Sequence, residues 1–248
     1  MNTHFTRQHY CYILEELQQL NFSFLIYDEL DQDSLREQER QVILRHDIDL
    51  CISYAHQMAE LEEKLNIRST YFVWLTSPFY NAFSSASRTL LKEIKGMGHQ
   101  LGLHFDASPF QESNELVDQI THESKILSQI IDSPVQIYSF HRPSSTLLNQ
   151  QIQIPGYLNA YDQRFFTEYK YLSDSNHHWR EGCACQHLHH EKKLNLLIHP
   201  IWWISKESLS PQIKLELFQR DVVKYTKGEL VNNIQGYQNI LTKLNWLG

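Results

Sequence analysis

Apolar residues along this chain follow two periods in turn. From Phe5 to Leu20, the residues Tyr10, Ile13, Leu14, Leu17 and Leu20 recur at spacings of three and four, which predicts an amphipathic helix capped by Thr6. Gln41 to Leu44 is a short apolar run ending at Arg45-His46-Asp47-Ile48-Asp49, the pattern of a buried strand that delivers polar groups at its C-terminal end. Helical spacing returns over Ile52 to Leu65. Ile67 to Leu75 holds Thr70, Tyr71, Phe72, Val73 and Trp74 and reads as a strand, because β-branched and aromatic side chains suit a pleated surface. The alternation continues with a helix over Ser85 to Lys95 closed by Gly96 and Gly98, and a strand over Gln100 to Phe105. A long helix over Glu112 to Ile131 follows, then a strand over Val135 to Phe140 that runs into His141-Arg142-Pro143. Beyond it the pattern loosens into short strands near Tyr157 to Tyr161, Tyr169 to Leu172, Cys183 to Leu188 and Leu194 to His199. A final helix, Ile213 to Leu241, is expected to break near Gly228.

Strands alternating with helices of ten or more residues imply βαβ units and a parallel sheet, an α/β fold whose working residues sit at the carboxyl ends of the strands. With 248 residues, 42% of them hydrophobic, the chain has material for one sizeable core, and a single domain over 1–248 is expected. Charge narrows the partners: 22 Lys and Arg against 29 Asp and Glu give −7, with no basic run to grip a phosphate backbone, so nucleic acid is not expected. The apolar stretches fall far short of a bilayer span. His4, Arg7, His9, Glu15 and Glu16 interrupt any signal-like segment at the N-terminus, so a soluble cytoplasmic protein is expected. Cys11, Cys51, Cys183 and Cys185 are too few for a disulfide scaffold. Fourteen histidines turn attention to metal and proton chemistry.

Polar clusters fall at the strand ends. Asp47 and Asp49 share one face of an extended strand while His46 and Ile48 point away, so both carboxylates enter one cavity, where one acid binds a metal and the other takes a proton from water. In Gly98-His99-Gln100-Leu101-Gly102-Leu103-His104-Phe105-Asp106, the two histidines are five apart and face opposite ways. His104, at the strand's far end, is the ligand candidate, and His99 is assigned a structural role. In Phe140-His141-Arg142-Pro143, Arg142 is a permanent cation suited to orient a carboxylate such as Asp47 or to bind an oxyanion. In Leu196-Leu197-Ile198-His199-Pro200, an apolar strand ends in one imidazole, which suits a general acid.

These clusters together resemble the polysaccharide deacetylase family, the NodB-homology or carbohydrate esterase 4 type, whose ordered strand-end motifs are paired acids, a metal-binding histidine motif, an Arg-Pro motif and a late strand ending in a catalytic histidine. Residues 45–200 carry the resemblance. Arg45-His46-Asp47-Ile48-Asp49, Gly102-Leu103-His104-Phe105-Asp106, and Ser173-Asp174-Ser175 followed by Trp179-Arg180-Glu181 are similar to the divergent WbmS-like branch. The resemblance implies a distorted (β/α) barrel of about seven parallel strands, with Asp47 as general base, Asp49 and His104 as metal ligands and His199 as general acid. It also exposes two departures. Ser108 stands where the family has a second metal histidine, so a third ligand must come from elsewhere, His141 first and Asp106 next. Arg142 is shifted by one from the family's Arg-x-Pro spacing.

The substrate-side candidates are Asp174, as hydrogen-bonding partner for an Arg or His, and Trp179, which could stack on a sugar ring beside Trp202 and Trp203. Zinc is the expected ion for a nitrogen and oxygen donor set. The activity implied is hydrolysis of an N-acyl group, most simply N-acetyl, from an amino sugar or sugar precursor. Two alternatives stay open: a cyclic imide or ureide amidohydrolase on the same fold, and a catalytically silent module that binds saccharide or protein. A separate run, Cys183-Ala184-Cys185-Gln186-His187-Leu188-His189-His190, offers soft ligands, but a straight strand cannot wrap them around a tetrahedral ion.

Overall fold

Parallel strands that are buried on both faces need apolar side chains in both directions, and the strand Gln41–Ile48 is buried at all eight positions. A computed structural model describes residues 5–30, 39–110 and 113–238 of the chain. Its strands are β1 (Ser23–Leu25), β2 (Gln41–Ile48), β3 (Thr70–Val73), β4 (Gln100–Asp106), β5 (Ile137–His141), β6 (Leu158–Asn159), β7 (Lys170–Ser173) and β8 (Lys193–Ile198). Seven of them lie side by side in the order β6-β5-β4-β3-β2-β8-β7, and all pairs are parallel. β1 pairs with Gln41, Val42 and Ile43 at the start of β2, and β3 takes over the same edge from Arg45 onward. The sheet curls into a half-barrel flanked by helices, the distorted (β/α) barrel that the family resemblance implies.

The helices in the first part are α1 (Arg7–Gln19), α2 (Ile52–Lys64), α3 (Ser85–Gly96), α4 (Ser113–Ile131), α5 (Ser145–Asn149) and α6 (Arg164–Thr167). α1 begins where Thr6 Oγ1 accepts the His9 amide at 3.1 Å, and it buries Tyr10, Ile13, Leu14 and Leu17, each burial contributing about 2 kcal/mol. These residues join Val42, Leu44 and Ile48 of β2 in the larger apolar core, between sheet and helices. Ile43, which points the other way, belongs to a smaller cluster with Tyr27, Phe72, Ile137, Phe165 and Tyr169, and this plugs the inside of the curl. Period-two alternation along β2 therefore sorts side chains between two compartments.

The chain divides into two compact units, Met1–Ser208 and Leu209–Gly248. The second contains α7 (Pro211–Asn233), started by Ser210, whose Oγ accepts the Ile213 amide. α7 runs through Gly228 without the expected break, since one glycine costs an exposed helix only about 1 kcal/mol relative to alanine. The expected helix end at Leu241, like Glu112 at the start of α4, lies outside the described residues. Cys183 to Leu188 is not a strand. Gly182 at φ +89° turns the chain, and Ala184–Gln186 forms one 3-10 turn. β1 and the short helices α5 and α6 carry too few residues to show a period. No described helix is long and apolar enough to cross a membrane.

Candidate active site

At the C-terminal end of β2, Arg45 and Asp47 lie two residues apart and so share the inner face. The guanidinium grips the carboxylate with Nη2 at 2.9 and 3.0 Å from its two oxygens and Nε at 3.3 Å. Arg45 has no exposed surface and lies over the rings of Phe72 at 4.9 Å and Tyr161 at 5.2 Å. Phe72 is held close to β4 because Gly102 has no side chain; a Cβ there would lie 2.6 Å from a ring carbon. Burial raises the Asp47 pKa, but Arg45, with His104 and His199, outweighs it and holds the carboxyl below its usual range.

One pleat further on, Asp49 meets two histidines from β4 and β5, across the end of β3. Asp49 Oδ1 lies 3.2 Å from His104 Nε2 and 3.4 Å from His141 Nδ1, and those two nitrogens are 3.2 Å apart. An ion bound at about 2.0–2.1 Å by tetrahedral ligands spaces them about 3.3 Å apart, so this nearly equilateral triangle matches one face of that tetrahedron. Donor chemistry agrees with the spacing. Asp49 Oδ1 is buried and faces the two imidazole nitrogens, with no backbone or hydroxyl donor directed at it. His104 Nδ1 lies 2.7 Å from Ser139 Oγ, and donation there leaves the Nε2 lone pair facing the triangle. Trp74 stacks on His141 with ring centres 4.0 Å apart and fixes its plane. Burial raises the Asp49 pKa, and when His104, His141 and His199 carry protons toward it in the absence of an ion they override burial and hold the group far below the usual carboxylate range.

His199 follows β8. Its Nδ1 donates to Asp174 Oδ1 at 2.6 Å, and its own amide binds both oxygens of that carboxylate. Trp203 Nε1 donates to Asp174 Oδ2 at 2.6 Å, so the fully buried Asp174 is saturated with donors. Nε2 of His199 is left pointing at the triangle, 3.8 Å from Asp49 Oδ2. Burial disfavours the imidazolium, but Asp174 more than compensates and the pKa is pushed up to about 9.

The opposite face of β2 carries a second polar set, sealed under the helices. His46 Nε2 lies 2.8 Å from Glu62 Oε1, Tyr10 donates to the same oxygen, and Ser69 and Tyr71 donate to Oε2 at 2.5 and 3.0 Å. His99 accepts the Ser69 amide at Nδ1, and its Nε2 donates to the Ala59 carbonyl, so it is a neutral core imidazole, as its position at the start of β4 suggests. Burial lowers its pKa further.

The structure thus brings Asp47, Asp49, His104, His141 and His199 to one place. Arg142 is not with them as expected. Asp47 already has its cation in Arg45, and Arg142 is exposed, with φ at 46°. Asp174 is the hydrogen-bonding partner of a histidine, His199, and lies beneath it rather than on a substrate wall. Trp179 is buried against Phe5 and Trp203, with ring centres 6.3 and 6.2 Å away, so it packs in the core. Asp106 accepts the Ser108 amide in a local turn. The sequence pattern gives no task to Arg45, Ser139 or Trp74, and it offers Trp203 only as a ring to stack on a sugar, whereas the buried indole holds Asp174. For Arg45 the signal was present, since the period that pairs Asp47 with Asp49 adds Arg45 to the same face.

No family model matches the chain, and no curated protein matches it. Solved structures are similar to it at low identity. A family 4 carbohydrate esterase from Bacillus anthracis has 13% identity over 86% of each chain, with a TM-score of 0.44. The peptidoglycan deacetylase PdaC from Bacillus subtilis, in a mutant form, has 14% identity over 80% of this chain and 98% of its own, with a TM-score of 0.45. A pseudoenzyme of the same esterase family from Bacillus anthracis has 12% identity and a TM-score of 0.43, and this chain spans 62% of its length. Likenesses of this degree assign neither an activity nor a role to any residue, which must come from the site itself.

Proposed function

We propose that this protein is a metal-dependent hydrolase that removes an N-acyl group, most simply N-acetyl, from an amino sugar or a sugar precursor. The observation that carries this reading is the Asp49, His104 and His141 triangle, with an anionic carboxylate on one side and a cationic imidazole on the other. These three residues would hold a divalent ion, zinc by donor type, which when bound polarises the amide carbonyl and makes a water molecule more acidic.

The chain's own groups divide the proton work. Asp47 Oδ2, 3.7 Å from His104 Nε2, stays ionised because Arg45 neutralises it, and it accepts the proton of the attacking water. Since Arg45 also ties both carboxylate oxygens, Asp47 keeps one orientation. His199, protonated at neutral pH, gives its Nε2 proton to the departing amine, which would otherwise leave as a poor anion. Asp174 stabilises the imidazolium and fixes which nitrogen faces the substrate, and Trp203 holds Asp174 in place.

The test is amine release from a library of N-acetylated amino sugars and their nucleotide-linked forms, using protein reconstituted with zinc. Turnover that is lost in both Asp47→Asn and His199→Gln is expected. A fully loaded protein that releases amine from no member of the library would overturn the reading.

A further inference from the structure

A second group of metal-binding side chains lies outside the site above and shares no residue with it. His9 of α1 places Nε2 3.1 Å from Cys183 Sγ, and Cys185 Sγ is 2.9 Å from Cys183 Sγ. All three donor atoms lie within 4.8 Å of one another, and neither cysteine is in a disulfide. The straight-strand objection to the Cys183–Cys185 run fails here, because Gly182 and the Ala184–Gln186 turn fold the two sulfurs toward one point. The third donor comes from a helix about 170 residues away in sequence, so the cluster exists only in the folded chain. A zinc ion with Zn–S of about 2.3 Å and Zn–N of about 2.0 Å spaces tetrahedral donors about 3.5–3.8 Å apart, so the 3.1 and 2.9 Å separations need to open by less than about 1 Å each.

We propose that His9, Cys183 and Cys185 form a second site for a thiophilic divalent ion, zinc by donor softness, with water in the fourth position. Binding replaces two S–H bonds with two Zn–S bonds and releases two protons to solvent. Because the ion binds thiolates and displaces their protons, affinity rises with pH. The bound ion joins the N-terminal helix to the 180s turn. It also fixes the His9 ring, which stacks on Trp203 with centres 6.1 Å apart, at the back of the indole that holds Asp174.

The test uses full-length protein, reduced, freed of metal with a chelator, and titrated with cobalt(II) and then zinc. Two equivalents per chain are expected, one of them giving the near-ultraviolet thiolate-to-cobalt charge-transfer band that nitrogen and oxygen ligands cannot produce. Cys185→Ser should lose that band and one equivalent, His9→Gln should weaken binding of that equivalent at least about tenfold, and His104→Gln should keep the band and lose the other equivalent. Absence of the band in the wild type, or unchanged stoichiometry in Cys185→Ser, would overturn the proposal. So would uptake of a single equivalent that His104→Gln abolishes.

Discussion

Replacing Arg45 with methionine tests the electrostatic core of the site without touching the ion or the acid. Methionine keeps much of the apolar stem between Phe72 and Tyr161 and removes the charge. The lost contacts are two bonds at 2.9 and 3.0 Å and one at 3.3 Å, all in a place with no solvent exposure on the arginine side. At an effective dielectric of about 20, unit charges 3 Å apart attract by about 6 kcal/mol. Much of that only offsets desolvation, and removing one partner of a buried pair costs about 3–5 kcal/mol because the other is stranded. Arg45→Met should lose that much in urea unfolding of chelator-treated protein, and Asp47→Asn a similar amount through the stranded guanidinium. The double variant Arg45→Met with Asp47→Asn should recover most of the loss, leaving a coupling energy of about 3 kcal/mol or more. Additivity of the two single effects within about 0.5 kcal/mol would refute the claim that each residue exists to neutralise the other. A second readout follows from the same logic. In Arg45→Met the Asp47 pKa rises, so the acid limb of any activity profile moves to higher pH.

Other expectations can be checked independently. Glu62, drawn down to about 2 against its burial by His46, contributes about 3 kcal/mol that is present above its unfolded value near 4.3 and is lost as pH falls toward 2. Glu62→Gln should therefore flatten the acid side of a plot of Tm against pH, and parallel curves would exclude this. His199, raised to about 9, contributes stability that is complete below about 6.5 and is lost as pH rises through 9. Asp174→Asn should lower its apparent pKa by at least about one unit in an NMR titration of metal-free protein, and an unmoved titration would contradict the pairing. Gly102→Ala puts a methyl group 2.6 and 2.7 Å from two Phe72 ring carbons and should cost about 1–3 kcal/mol by urea midpoint, whereas an unchanged midpoint would show that the ring can yield freely.

Apart from the three-residue β1, the strands and helices up to Phe140 were legible because each repeats its period long enough to be counted. β2, β4 and β5 were also legible as carriers of the site, since each apolar run stops at a polar cluster. What escaped was set by tertiary contact. The strand period puts Arg45 on the face of Asp47, but its burial as the partner cation depends on Phe72 and Tyr161 closing over it, which no local pattern announces. The 180s segment alternates like a strand, yet Gly182 and contacts with α1 bend it into turns. Trp203 and Trp179 look alike in sequence, and only the position of Asp174 gives one of them a polar task.

Because successive residues of β2 serve opposite compartments, the strand is sensitive to phase. Sliding it by one position against β3 and β8 would send Arg45, Asp47 and Asp49 under the helices and bring His46 and Ile48 to the side of the candidate site, ruining both polar sets together. Insertions or deletions within residues 41–49 should therefore be intolerable, whereas substitutions there can be graded. A library of one-residue indels across this segment would read that asymmetry as a sharp gap in viable clones.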